Sequence, residues 1–249
     1  MLFIAAALVV YCTFFFLLAL WLKKNDLADL AWGGGFVVIS LLLIVERNAS
    51  TLRDLILLTM ICFWAIRLIS YMAIRNLTKK EDWRYAKWRE EWGKHWLWRT
   101  YLQVFLLQGA LMLPIAIPLF VGFGSGKEIG SLEIVGLILW AVGLACETAA
   151  DWQKFVFKKI PGNGKKMIQS GIWRYSRHPN YFGEALLWWG IGIFSVAISP
   201  LALLGPATIT FLLLKVSGVS MLEATYGDRP EFAEYKRKTS IFIPWFPKH

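Results

Sequence analysis

At 249 residues, 57% hydrophobic and 16% aromatic with a mean hydropathy of +0.51, the chain is too apolar for a water-soluble domain. Its net charge of +10 comes from 27 basic against 17 acidic residues, yet no basic soluble stretch stands apart from the apolar runs, which argues against a nucleic-acid-binding domain. Cys12, Cys62 and Cys146 all lie inside apolar runs without a CxxC pair, so neither a disulfide framework nor a metal site is expected.

Seven runs are long enough to cross a bilayer core of about 30 Å: residues 1–22, 30–45, 52–74, 101–122, 132–151, 181–198 and 201–218. The first lacks the basic start and small-residue cleavage site of a signal peptide and is read as a helix. The second is the shortest and needs a polar or tilted start. Within it Gly33, Gly34 and Gly35 match no phosphate-loop pattern and predict a tight helix contact instead. Basic residues set the orientation. Lys23 and Lys24, eight within 75–99, seven within 154–177 and five within 229–248 make 22 on one side, against Arg47, Arg53 and Lys127 on the other. The expected fold is therefore all-α, a polytopic bundle of seven transmembrane helices with the N-terminus outside and the C-terminus cytoplasmic.

Residues 75–98 alternate charge with tryptophan. The spacing of Trp83, Lys87 and Glu91, and of Trp88 and Trp92, predicts an amphipathic helix lying in the membrane interface. Ionisable residues within the runs are more informative, because a charge facing hydrocarbon is costly. Asp29, Arg67, Glu147, Asp151, Glu184 and Lys215 qualify. Glu147 and Asp151 share a helical face that Lys154 and Lys158 continue; this is either a pair that holds ribose and phosphate or a salt-bridged helix end. Arg67 and Tyr71 share a face on the third run, serving either structural pairing or chemistry.

The densest polar cluster lies in residues 173–189, WRYSRHPNYFGEALLWW. Pro179 suits the first turn of a helix, where its missing N–H is not needed. On that helix Asn180, Glu184 and Trp188 fall on one face with Tyr181 beside it, and Gly183 is expected to open space next to that face. Arg174, Arg177 and His178 precede the helix start, which itself favours anions. Belt aromatics and snorkelling arginines account for Trp173, Arg174, Tyr175 and Arg177. They do not account for Asn180 and Glu184 stepping inward together, so this face is expected to bind a ligand.

RYSRHPNYFGE with its downstream tryptophan, then MLEATYG, PEFAEYKRKTSIFIP, DLAWGGGF and LQVFLLQG, resembles a bacterial membrane family of unknown function with a steroid 5-alpha-reductase-like C-terminal domain. Its superfamily includes delta-14 sterol reductases and isoprenylcysteine carboxyl methyltransferase. The resemblance implies one membrane-embedded domain over 1–249, with a cofactor-binding half at about 132–249, in a multi-pass protein of the bacterial inner membrane. It implies an NADPH-dependent oxidoreductase, 3-oxo-5-alpha-steroid 4-dehydrogenase-like, that delivers hydride to the activated C=C bond of a lipid or steroid-like enone. Asn180 and Glu184 would hold the nicotinamide carboxamide, with Tyr181 and Trp188 beside them. Glu147 and Asp151 would contact ribose and phosphates, joined by Lys158 and Tyr235, with Lys166, Arg174, Arg177 and His178 as further phosphate ligands. For the catalytic pair the nearest counterparts are Asp29 or Trp32 and Trp64 or Tyr71, with Arg67 between them. Two alternatives remain. One is an S-adenosylmethionine-dependent methyltransferase of the isoprenylcysteine type, which shares the RHPxYxG core but differs at Glu184 and at the single acid Glu223. The other is a non-catalytic lipid-binding membrane protein.

Overall fold

The computed structural model describes residues 1–77, 83–164, 166–227 and 229–248. Residues 78–82 of the expected interfacial segment, and the Trp83 side chain, lie outside this description. The described residues form helices, and five helical stretches are long and apolar enough to cross a membrane: Leu2–Leu22, Leu27–Arg47, Leu52–Arg75, Ser131–Lys159 and Pro200–Tyr226. The chain divides into two compact units, Met1–Glu128 and Ile129–His249.

In the first unit α1 (Leu2–Leu22), α2 (Leu27–Arg47) and α3 (Leu52–Leu77) follow one another through short turns. Lys23 and Asn48 end α1 and α2 in the left-handed region, each closing its helix with backbone bonds to the last turn. The second apolar run does gain a polar start: α2 begins at Leu27 and takes Asp29 into its first turn, where the helix dipole favours a carboxylate. The three glycines of α2 seat three different neighbours. A methyl group on Gly33 would meet Ile69 and Ala65 of α3, one on Gly34 would collide with the Tyr11 hydroxyl, and one on Gly35 would come within 2.5 Å of Met112 Sδ. Tyr11 also donates to the Ala31 carbonyl at 3.0 Å. Trp32, Phe36 and Trp64 form an edge-to-face ladder between α2 and α3 at centroid spacings of 5.5 Å.

Thr51 and Asp54 cap α3 reciprocally, and Asp54 also accepts from Gly124 N at 2.8 Å, while Arg47 donates to the Phe120 and Phe123 carbonyls. Beyond the described surface helix α4 (Trp83–Trp92) and the short α5 (Trp96–Arg99), the run 101–122 is not one helix. A π-helical turn (Thr100–Leu106) leads into α6 (Leu107–Ile115), and the chain breaks at Ala116 before α7 (Ile117–Gly122). Pro114, which has no N–H to donate, and Pro118 at the next helix start explain the break.

The second unit is built on α8 (Ser131–Lys159) and α9 (Pro179–Val196). Glycines seven residues apart on each helix meet: Gly136 lies against the backbone of Gly190 and Phe194, and Gly143 against Gly183 and Leu187. The two helices are therefore antiparallel with backbone touching backbone. The helix does begin at Pro179, but Gly183 opens no space beside the polar face. A methyl group there would lie 2.5 Å from Glu147 N, because α8 fills the position. The 18 residues of α9 are not among the five apolar stretches, since Asn180 and Glu184 dilute them. Next come α10 (Leu204–Phe211), whose Thr210 accepts from Trp189 Nε1 at 3.2 Å, then α11 (Val219–Tyr226) and α12 (Pro230–Lys238).

Candidate functional site

The loop that leaves α8 folds back onto its last turns. Lys158 Nζ donates to the carbonyls of Gly164 and Lys166 at 2.8 and 2.6 Å, which closes the first bend. Gln153 Oε1 accepts from Ile172 N at 3.0 Å, and Trp173 Nε1 donates to the Ala150 carbonyl at 3.1 Å. Gly171 holds φ +62° directly over the Gln153 amide, a position where any side chain would collide and the backbone itself favours glycine. The Lys154 ammonium lies 5.4 Å over the Trp173 ring.

The other wall comes from α11, α12 and the tail. The buried Tyr235 hydroxyl donates to the Trp173 carbonyl, with the Ser176 carbonyl 3.4 Å away, and burial raises its pKa above the ordinary phenol range. Between the walls is a small cup with about 370 Å³ of empty space, its open mouth included. Its lining is Lys154, Lys158, Lys166, Met167, Ile168, Trp173, Arg177, His178, Tyr226, Phe232 and Tyr235. Aromatic and aliphatic walls under several ammonium groups suit a flat ring joined to anionic oxygens.

One carboxylate organises the floor. Glu223 Oε1 accepts from Arg177 Nε at 2.8 Å and from His178 Nε2 at 3.2 Å. Arg177 Nη1 also donates to the carbonyls of Thr239 and Lys236, at 2.7 and 3.2 Å, so this guanidinium ties α11, the C-terminal segment and the start of α9 together. Burial pushes the His178 imidazole down to about 4, against the pull of Glu223, so the ring is neutral near pH 7. The hydrogen bond to Glu223 then fixes its proton on Nε2. The unfolded chain takes up this proton below about 6.5, whereas the folded chain resists until about 4. Stability is thus complete above 6.5 and falls as pH drops toward 4, by an amount on the order of 3 kcal/mol. Thermal unfolding across this window should show the slope, and His178→Gln should flatten it; an unchanged slope in the variant would remove His178 as its source.

Of the residues singled out in sequence, Lys158, Lys166, Arg177, His178 and Tyr235 line the cup. The other cofactor candidates lie elsewhere in the same unit. Glu147 and Asp151 are buried on α8. Asn180, Tyr181 and Glu184 are half-buried on the first turns of α9, with the Tyr181 ring stacked on His178 at 5.6 Å, and Trp188 is fully buried. Arg174 is exposed and its guanidinium lies 5.2 Å over the Tyr175 ring. Asp29, Arg67 and Tyr71 belong to the first unit: Asp29 pairs with Arg75 at 3.4 Å, and the Arg67 guanidinium sits 5.5 Å over the Tyr71 ring. Lys154, which the sequence placed with Lys158 beside the Glu147 and Asp151 face, lines the cup as well, whereas sequence reasoning passed over Met167, Ile168, Tyr226 and Phe232 as cup residues, and Glu223 as the counter-charge of Arg177. The one available signal was that an arginine and a histidine at a helix start need an acid from elsewhere in the chain.

The profile of the family described as "Protein of unknown function (DUF1295)" matches residues 15–239. An uncharacterized protein of Schizosaccharomyces pombe, C594.04c, is 23% identical over 208 residues, covering 73% of this chain and 60% of the relative. The Protein-S-isoprenylcysteine O-methyltransferase of Saccharomyces cerevisiae is 28% identical over 121 residues, covering 45% of this chain and 48% of that protein. The matched region thus spans about half of the methyltransferase, 48%, and 60% of the other curated relative. No solved structure matches the chain.

Proposed function

The chain belongs to the family described as DUF1295, and from that premise we propose that it is an integral membrane enzyme, an NADPH-dependent reductase of a hydrophobic lipid or steroid-like enone. The observation that carries this is the cup itself: four cationic side chains, Lys154, Lys158, Lys166 and Arg177, surround a cavity walled by Trp173, Tyr226, Phe232 and Tyr235. Phosphate oxygens suit such a donor set, and the aromatic walls suit an adenine ring. NADPH, when bound, supplies the hydride. Lys154 and Lys166 neutralise its phosphates, with Lys158 contributing its charge while two of its N–H groups hold the Gly164 and Lys166 carbonyls, and Arg177 is occupied by Glu223 and the carbonyls of Lys236 and Thr239 and keeps the wall in place. Asn180 and Glu184 on the first turns of α9 orient the carboxamide, and Glu147 and Asp151 serve the ribose. Asp29, Arg67 and Tyr71 in the first unit are the candidates to polarise the substrate carbonyl.

In this reading the runs 101–122 and 181–198 join the five apolar stretches to make seven spans. The N-terminus is outside and the C-terminus cytoplasmic, in accord with the distribution of 22 basic residues against 3. The cup then faces the cytoplasm, where NADPH is available. The membrane is taken as the bacterial inner membrane.

A second reading is favoured by the yeast relative: a methyltransferase using S-adenosylmethionine. That cofactor brings one carboxylate together with an ammonium and a sulfonium, and the cations of the cup disfavour the latter two. The test is thermal unfolding of detergent-purified protein with NADPH, NADH and S-adenosylmethionine in parallel. A ligand at 100 times its dissociation constant stabilises by about 2.7 kcal/mol. Stabilisation by NADPH well above NADH is the expected result. A response to S-adenosylmethionine alone would make the chain a methyltransferase, and no response to any would favour a non-catalytic lipid-binding protein.

A further inference from the structure

The C-terminal segment 239–248 loops over the turn 174–177, whose Arg177 lines the cup; it bends at residues 241–243 and returns to the end of α12, where Lys248 N donates to the Lys238 carbonyl at 2.8 Å. Ser240 O accepts from Arg177 N at 2.8 Å, Phe242 O from Ser176 Oγ at 2.7 Å, and Tyr175 O from Trp245 N at 2.9 Å. Ring contacts reinforce the seam, Phe242 on Phe182 and Phe246 on Tyr175.

Burial alternates along this loop from residue 240 to residue 245. Here Ser240, Phe242 and Pro244 face inward and are half-buried, whereas Ile241, Ile243 and Trp245 are 45%, 63% and 68% exposed, and Phe246 after them is 76% exposed. A strap lying in water would carry the reverse pattern, polar outward. Its flanks are cationic. Lys236, Arg237 and Lys238 end α12 and Lys248 follows the strap; against them stand Glu231 and Glu234, the latter paired with Lys238 at 2.7 Å. An apolar ridge with a tryptophan, bordered by a surplus of cations, has the composition of a segment seated at the boundary of an anionic leaflet. Its position agrees: the strap is pinned to residues 174–177, and α9 starts at Pro179.

We propose that the outward face of the strap, Ile241, Ile243, Trp245 and Phe246, docks into the headgroup region of a leaflet containing anionic lipid. By doing so it holds α12, with its cup residues Phe232 and Tyr235, against the start of α9. The proposal rests on the reading of α9 as a membrane span and not on which cofactor the cup takes.

The test uses the full chain with Cys12, Cys62 and Cys146 replaced by alanine. An environment-sensitive fluorophore is attached at Ile243→Cys, or separately at Trp245→Cys, in nanodiscs of phosphatidylcholine with or without phosphatidylglycerol. A label at Glu231→Cys, on the exposed side of α12, is the control. Lipids bearing a nitroxide near the headgroup should quench the strap labels several-fold more than the control, and more strongly when phosphatidylglycerol is present. Quenching by aqueous iodide equal to that of the control at both positions would place the strap in water and overturn the proposal. Protection from both quenchers would mean that a protein surface or a second copy covers it, which overturns it equally. NADPH titration of the same samples keeps the two readings apart. Lipid quenching without a cofactor response removes the reductase and leaves the strap, and the converse removes the strap alone.

Discussion

Gly143→Val should yield little or no folded protein, and the smaller Gly143→Ala change should already lower the unfolding temperature. A methyl group at this position would overlap the backbone nitrogen of Leu187 and come within 2.7 Å of the Gly183 carbonyl oxygen and 2.9 Å of the Leu187 Cα. These are main-chain atoms of a helix and have no rotamer through which to yield. The helices must move apart along a contact that also includes Gly136 and Gly190. Overpacking where side chains can adjust costs about 1–3 kcal/mol; with backbone on both sides the cost belongs at or above the upper end. The damage extends to the site, because α8 supplies Lys154 and Lys158 and α9 opens with Arg177 and His178 just ahead of it. Thermal unfolding in detergent checks this, with a surface change such as Lys159→Ala as reference. Equal stability of Gly143→Val and the reference would mean that α8 and α9 do not touch there.

Glu223→Ala is expected to have the second largest effect. Glu223 and Arg177 have side chains only 14% and 8% exposed, and removing the carboxylate leaves a guanidinium buried without its counter-charge. Breaking such a pair from one side costs about 3–5 kcal/mol. The His178 ring loses the acceptor of its Nε2 proton in the same step. Glu223→Gln keeps an oxygen that accepts from Arg177 Nε, so its cost should be nearer the 1–3 kcal/mol of a weakened buried hydrogen bond. Chemical unfolding of both variants gives the comparison. Alanine and glutamine variants of equal, near-native stability would show that Arg177 finds its stabilisation in the tail carbonyls alone.

Local chemistry accounts for what was legible in the sequence. Pro179 announced the start of α9, and the glycines of α2 announced close contacts before any neighbour was known. The failures share a physical cause. Periodicity tells which residues share a helical face but not what covers that face, so Gly183 read as an opening when it is the seat of α8 at Glu147. The apolarity of the run 101–122 marked its length but not the break at Ala116, which Pro114 and Pro118 place between α6 and α7. Most of the cup lay beyond reach for a simpler reason: Lys154, Trp173, Tyr226 and Phe232 come together only after the loop folds back on α8 and the tail folds back on the start of α9. The acid of the Arg177 pair lies 46 residues downstream, a distance at which spacing carries no signal.

The central claim is that the lysines of this cup hold the phosphates of NADPH. Its most direct measurement is a calorimetric titration of the purified protein with NADPH, repeated for Lys154→Met and Lys166→Met. Each substitution removes one charge while keeping an apolar stem in place. A charge-assisted contact contributes about 1.5–3 kcal/mol, so each variant should bind NADPH roughly tenfold or more weakly at low salt, with unfolding temperatures unchanged. NADPH affinity identical in the wild type and both variants, or no heat of binding in any of them, would contradict the assignment.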